Sequence, residues 1–294
     1  MTPEQTAEPT SDNNSTRLIV ATDFSARADR AIDRALQMGR DGHHPIRFIY
    51  ATEPGKRTPA DPDELNRRME QCVGYPAGTD QGGGAIEYAY PEGSPPMAIA
   101  QSCEEQDTAM LLIGPARYNS FGDFFMGTAV DYVLRNTTKP VLIVKKRVKN
   151  AYDQIVAGTD FSENSAHAIV KAARLFPDAA IHIAHAWHVP FEGFQRDGYV
   201  AEETEGDGAK TLATFTAKLA EREPRLEEAT TSLIRGGPYD AVKQAVERFP
   251  DALVVLGSHG AGGFREATLG SNTSDILRFL DADILVVNTK NAGA

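Results

Sequence analysis

The chain says nearly the same thing twice. Residues 19–25 read Ile-Val-Ala-Thr22-Asp23-Phe24-Ser25, and residues 155–162 read Ile-Val-Ala-Gly158-Thr159-Asp160-Phe161-Ser162, so each half opens on an aliphatic run that ends in a Thr-Asp-Phe-Ser turn. Each half also closes alike. Leu111-Leu112-Ile113-Gly114 answers Val254-Val255-Leu256-Gly257, and Gly127-Thr128 answers Gly270-Ser271. Gly114 to Gly127 and Gly257 to Gly270 both span thirteen positions, so the halves carry the same loop and not merely a similar composition. A self-similarity at this spacing restricts the chain to a duplicated domain.

The length of 294 residues suits two domains, each of about 140–150 residues and large enough to bury its own core. The expected division is an unstructured leader over 1–16, a first domain over 17–149 and a second over 150–290. No apolar run approaches the roughly 20 residues that span a bilayer, and Met1 to Thr16 is polar and acidic without a signal pattern; a cytoplasmic location follows as the expectation. A net charge of -11 argues against broad binding to nucleic acid or to an anionic membrane. Cys72 and Cys103 stand at non-equivalent places in the first copy, which argues for reduced thiols and against a disulfide framework or a cysteine metal cage.

Within each copy, short aliphatic runs alternate with segments of helical periodicity. In the first, strands are expected at 17–22, 46–51, 85–90, 109–113 and 140–146. Helices are expected from Ala28 to the Asp41-Gly42 stop, over 63–73, after Ser94-Pro95-Pro96, and over 128–135, while Gly82-Gly83-Gly84 reads as a loop. In the second, strands are expected at 154–158, 180–187, 228–234, 252–256 and 283–288, with helices at 162–175, 207–222, 238–249 and 271–280. Ten strands alternating with eight helices need right-handed crossovers and parallel sheets covered on both faces, which makes each copy a doubly wound, Rossmann-like five-stranded α/β domain. A ligand is expected at the carboxyl ends of the strands, where the strand order reverses. Strand one of the second copy ends at Asp160 and strand four at Gly257, so those two ends face each other if the strands are neighbours.

The loop Gly257-Ser258-His259-Gly260-Ala261-Gly262-Gly263 lets backbone amides approach a ligand with no side chain in the way. Ten residues beyond Gly260, Gly270-Ser271-Asn272-Thr273 opens a helix whose first-turn amides suit a phosphate oxygen, with the hydroxyls of Ser271 and Thr273 as two further donors.

The spacing G-x2-G-x9-G-S after an aliphatic strand, paired with the early Thr-Asp-Phe-Ser turn, resembles the universal stress protein family, here with two domains in tandem. The resemblance covers Arg17 to Lys146 and Tyr152 to Thr289. It implies an adenine-nucleotide alpha-hydrolase-like fold and, for the nucleotide-binding subgroup, ATP with Mg2+ in the crevice. By similarity, the Gly158-Thr159-Asp160 turn and the backbone near Ala186 would meet the adenosine part. Gly257, Ser258, His259, Gly260, Gly270, Ser271, Asn272 and Thr273 would hold ribose and phosphates. The resemblance also implies pairing through the last strands, satisfied here inside one chain between Val141–Lys145 and Ile284–Val287 as an intramolecular pseudo-dimer. A homodimer of such chains is compatible with it, and no protein partner can be read.

The first copy departs at one place. It has Arg117 where the second has Gly260, and Pro115 removes an amide donor. Arg117 either fills the phosphate site or swings out to pair with a phosphate; loss of binding is preferred, because a side chain where amides must approach excludes the ligand. Other groups have simpler readings. Asp23 and Asp160 suit helix capping as well as ligand contact. His182, His185 and His188 suggest zinc, but alternation puts His182 and His185 on opposite faces of a strand. Trp187, near Phe191 and Phe194, is read as packing helix on sheet and not as stacking on a base, and 207–228 as a solvated helix face. No His-x-Gly-His, Ser-Gly-Gly-x-Asp-Ser or Walker lysine motif is present, and the phosphate loop carries no lysine, its nearest cation being Arg265. The expectation is therefore a nucleotide-dependent regulator in the stress response, not an enzyme. The alternatives are weak ATP hydrolysis or autophosphorylation at Ser271 or Thr273, and a protein that binds partners without nucleotide.

Overall fold

A computed structural model describes residues 17–53, 55, 61–80, 84–115, 128–188, 198–258 and 269–288. The expected leader, Gly82-Gly83, Arg117, Gly127, His259, Gly260, Arg265, Phe191 and Phe194 lie outside the described residues.

The first copy runs β1 (Arg17–Ala21), α1 (Asp29–Gly42), β2 (Ile46–Ile49), α2 (Pro62–Val73), β3 (Ile86–Ala89), α3 (Pro95–Cys103), β4 (Thr108–Ile113), α4 (Thr128–Asn136) and β5 (Val141–Ile143). The second runs β6 (Gln154–Thr159), α5 (Glu163–Leu175), β7 (Ala180–Trp187), α6 (Gly198–Arg222), β8 (Thr230–Arg235), α7 (Pro238–Arg248), β9 (Leu253–Gly257), α8 (Ser271–Phe279) and β10 (Ile284–Val287). Local chemistry sets the boundaries. Asp61 caps α2 through the Asp63 amide with Pro62 at the first position, and Gly74 ends that helix in the left-handed conformation at φ 83°. Pro95 and Pro238 open α3 and α7 in the same way, since a first-turn residue needs no amide hydrogen.

Among the described residues the strands lie in one ten-stranded sheet in the order β3-β2-β1-β4-β5-β10-β9-β6-β7-β8. Each copy thus repeats the same doubly wound order, and its strand pairs are parallel. The copies meet at the centre through the antiparallel pair β5–β10, with Ile143 opposite Ile284, Leu142 opposite Leu285 and Val141 opposite Val286. This is the pairing of last strands that the family resemblance implies, over a shorter stretch that ends at Ile143. Inner strands are aliphatic at almost every position because both faces are covered: β4 and β10 are buried along their whole length. One face of the sheet packs under α1, α2, α5 and α6, the other under α3, α4, α7 and α8, so each core layer runs through both copies.

Among the boundaries that differ from the sequence reading, three have a visible cause. Helix α6 begins at Gly198, well before the charged stretch at 207, although Gly206 and Gly208 weaken helical propensity there. Tertiary contact overrides propensity: a Cβ on Gly208 would lie 3.2 Å from the Leu233 side chain on β8, so this glycine sits where helix meets sheet. Strand β8 starts at Thr230 because Pro224–Glu228 forms a 3-10 turn. Strand β5 stops at Ile143, since the amides of Lys145 and Lys146 turn to the Asp283 carboxylate at 2.6 and 2.7 Å.

Candidate functional site

Strands β6 and β9 are parallel neighbours, with Ala157 beside Val255. Since β7 and β8 lie on one side of this pair and β10 on the other, it is the point at which the strand order of the second copy reverses. The Gly158-Thr159-Asp160 end of β6 and the Gly257-Ser258 end of β9 emerge there together.

The first turn of α5 closes one side. Ser162 is its N-cap, its hydroxyl oxygen accepting from the Ser165 amide at 3.2 Å. Asp160 does not cap the helix itself. Its Oδ1 accepts from the Ser162 amide at 3.1 Å and the Ser162 hydroxyl at 2.5 Å, which orients the capping serine. The carboxylate is exposed to solvent at the mouth of the crevice. Thr159 Oγ1 accepts from the Phe161 amide at 3.0 Å and lies 2.9 Å from the Ser165 hydroxyl. These bonds hold Phe161 at φ 63°, a left-handed conformation that a bulky side chain rarely adopts. Its ring stacks on His185 of β7 with centroids 3.9 Å apart, and the His185 Nδ1–H donates to the Thr159 carbonyl at 2.7 Å. Burial holds the His185 imidazole below its usual pKa, against the pull of the Thr159 carbonyl and Asp160. The first copy builds the same device: Phe24 at φ 58°, its amide on Thr22 Oγ1, its ring 4.4 Å from Tyr50.

Helix α8 closes the other side. The Gly270 amide donates to the Ser258 carbonyl at 3.0 Å, and Thr273 Oγ1 donates to the Gly257 carbonyl at 3.0 Å, so the start of α8 is tied to the end of β9. By helix geometry the amides of Ser271, Asn272 and Thr273 have no intrahelical acceptor, and the positive end of the dipole lies there. Ser271 and Asn272 are exposed, whereas Thr273 is buried with its proton committed to Gly257. Of the two hydroxyls expected at the rim, Ser271 is therefore the one on the surface. Ser258 is buried, and its amide donates to Val287 of β10 at 3.1 Å. Ala186 stands one residue past His185 at the end of β7, paired with Ile234 of β8.

Glycine at the end of β9 has a packing reason distinct from ligand approach. A Cβ at Gly257 would lie 3.2 Å from the Asn164 carbonyl group and 3.4 Å from the Ser165 amide, because the first turn of α5 presses against it. In the first copy a Cβ at Gly114 would meet the Arg27 carbonyl oxygen at 2.7 Å. Packing against the first turn of α5, and in the first copy against the turn that leads into α1, thus gives a glycine at this position a structural role in both copies. Sequence reasoning missed this, and missed Asn164 and Ser165 as the wall; the only local signal was the serine at the end of the Thr-Asp-Phe-Ser turn.

Of the remaining candidates, His182 and Trp187 fall into the core, whereas His188 is exposed. His182 is buried with both ring nitrogens satisfied, Nδ1 at 2.8 Å from Thr230 Oγ1 and Nε2 at 2.9 Å from Ser232 Oγ. Trp187 is buried in the sheet. Among the described residues no group of three or more His, Cys, Asp or Glu side chains is placed to hold a metal ion, and no helix is long and apolar enough to cross a membrane. Cys72 and Cys103 are both free, and burial pushes the Cys103 thiol up to about 12.

Fold and crevice together define a tandem, doubly wound α/β architecture. A profile of the universal stress protein family matches residues 14–145 and again residues 151–288, and the chain belongs to that family, with two of its domains in one polypeptide. A universal stress protein of Mycolicibacterium smegmatis is 27% identical over 194 residues, an alignment covering 62% of this chain and 62% of that protein. Universal stress protein Rv1636 of Mycobacterium tuberculosis is 27% identical over 148 residues, 48% of this chain and 99% of its own length. Among solved structures, a universal stress protein from Archaeoglobus fulgidus superposes with a TM-score of 0.65 at 17% identity, covering 93% of this chain and 98% of that one. A functionally unknown protein from Pseudomonas aeruginosa gives 0.63 at 16% identity, covering 94% and 93%. These structural likenesses bear on the fold alone.

Proposed function

We propose that the second copy binds ATP with Mg2+ and that the protein acts in the cytoplasm as a nucleotide-dependent regulator of the stress response, without turnover of its own. The observation that carries this reading is the convergence, at the point where strand order reverses, of the exposed Asp160 carboxylate, the Gly257-Ser258 corner and the first turn of α8. The amides of that turn supply the donors and positive dipole end that polyphosphate requires. Asp160 and the strand end near Ala186 would meet the ribose and base, and the magnesium would travel with the triphosphate, since the described residues offer no metal cage. His259 and Gly260 belong to the same proposed set through the spacing of the motif. The first copy, with Arg117 at the position of Gly260, is proposed not to bind.

A regulatory role is favoured over phosphoryl transfer because the phosphate loop from Gly257 to Thr273 carries no lysine in its sequence, and Thr273 spends its hydroxyl proton on the chain itself. The test is isothermal titration of Mg-ATP into protein stripped of carried-over nucleotide. One equivalent should bind per chain, and Gly270→Val should abolish it by placing a branched side chain at the mouth of the phosphate turn. Two equivalents would assign a working site to the first copy as well; none would leave a protein that acts through partners alone.

A further inference from the structure

A residue just beyond the last strand of each copy reaches the C-terminal end of the last helix of the other. Lys145, just beyond β5, donates from Nζ to the carbonyls of Leu277 and Leu280 at 2.5 and 2.8 Å, at the C-terminal end of α8. Asn288, just beyond β10, donates from Nδ2 to the carbonyls of Leu134 and Thr137 at 2.9 and 2.7 Å, at the C-terminal end of α4. The two sets correspond residue for residue: Leu134 and Leu277, Thr137 and Leu280, and Lys145 and Asn288 are each 143 positions apart, as are Gly114 and Gly257. Both donors are buried, Lys145 at 2% and Asn288 at 4% exposure. The exchange is reciprocal, but its chemistry is not. A cation caps α8 and complements the negative end of its dipole, whereas a neutral amide caps α4.

We infer that Lys145 is a positioning residue for the crevice of the second copy, and that the first copy serves as the anchor of α8. Helix α8 is a nine-residue rod, about 13 Å long at 1.5 Å per residue, tied at its N-terminal end to Ser258 and Gly257 and at its C-terminal end by the other copy. A rod this short transmits a shift at one end to the other, and its N-terminal turn is the anion-facing surface of the site. The anchor is itself fixed. Asp283 accepts from the amides of Lys145 and Lys146 and from the Tyr152 hydroxyl at 2.6 Å, and Arg34 of α1 lies on the Tyr152 ring with its guanidinium 3.6 Å from Asp283. Arg34 also donates to the Asn150 carbonyl at 2.7 Å, so α1, the connecting segment and the approach to β10 form one buried network around the Lys145 backbone. The cation is spent on the copy whose glycine spacing is intact, and the neutral amide on the copy with Arg117. This gives a degenerate domain a physical task.

The inference rests on the nucleotide reading for its affinity readout, and the experiment separates the two. Lys145→Met removes both bonds at similar length, and Lys145→Asn installs the residue that makes the equivalent contacts at position 288. Asn288→Ala loosens α4 and serves as the control for stability alone. Should Lys145→Met not fold, Lys145→Ser, too short to reach either carbonyl, replaces it. Titrated with Mg-ATP well below their melting temperatures, Lys145→Met should bind about tenfold more weakly, Lys145→Asn within about twofold of the parent, and Asn288→Ala unchanged. A lowered melting temperature with unchanged affinity in Lys145→Met would reduce Lys145 to a structural residue and overturn the inference. If the parent protein binds no nucleotide, the functional reading fails, and amide exchange decides the anchor independently. Faster exchange at Ser274 and Leu280 in Lys145→Met, reversed in Lys145→Asn, would uphold it; unchanged exchange would overturn it.

Discussion

At the scale of single residues, the site is built from groups whose roles are visible only through their neighbours. Asp160 orients the serine that caps α5, and Phe161 accepts a strained backbone because its amide and ring both have partners. Glycine roles divide in the same way. Gly257→Ala should cost about 1–3 kcal/mol, since a Cβ 3.2 Å from the Asn164 backbone forces α5 outward. Gly114→Ala, with a contact of 2.7 Å to the Arg27 carbonyl oxygen, should cost more. Urea unfolding of the two variants measures both values. Equal, negligible losses would remove the packing reason for both glycines. The sequence made them conspicuous, but it could not say that the backbone of a helix start or of the turn before one stands behind each.

At the scale of elements, α8 is the hinge between site and scaffold, and its cap carries a pH signature. Burial pulls the Lys145 ammonium from 10.5 down to about 8, against the opposing pull of Asp281 and Asp283 and with a small push from Lys146. Between those values the unfolded chain holds a proton that the folded chain has released. Stability from this group therefore rises with pH through that window, and the full cost of burying the charge is felt below pH 8. Between pH 7.5 and 9.5 the parent should gain about 2 kcal/mol relative to Lys145→Met, at ~1.4 kcal/mol per pK unit. Burial raises the pKa of Tyr88, Tyr90 and Cys103 and so works in the opposite direction, but those groups are common to both proteins and cancel in the comparison. Urea midpoints at the two pH values measure the difference, and parallel pH profiles would mean that the ammonium is solvated in solution. Most elements were legible from periodicity and from the Pro and Gly punctuation at their ends. The early start of α6 was not, because Gly206 and Gly208 oppose a helix that contact with β8 stabilises.

At the scale of the whole molecule, ten strands in one sheet and two core layers that run through both copies make the duplicated domains a single physical body. The β5–β10 pair and the exchanged caps at Lys145 and Asn288 bind the copies where separate domains would have only a surface contact. Unfolding should therefore be one cooperative transition. The chain has one tryptophan, Trp187, buried in the second copy, so its fluorescence reports that half while far-ultraviolet circular dichroism reports both. The two urea curves should coincide. A circular dichroism loss that precedes the fluorescence change would show the first copy melting alone.

By itself the sequence determined the duplication, the alternation of strand and helix, and the glycine spacing that marks the second copy, because these depend on residue types at fixed separations along the chain. The neighbourhood of β6 and β9, the packing reason for Gly257 and Gly114, and the exchange of Lys145 and Asn288 between copies were decided only by the tertiary structure. Each of these rests on contact between residues far apart in sequence, and no local pattern encodes which of two copies a buried side chain will cap.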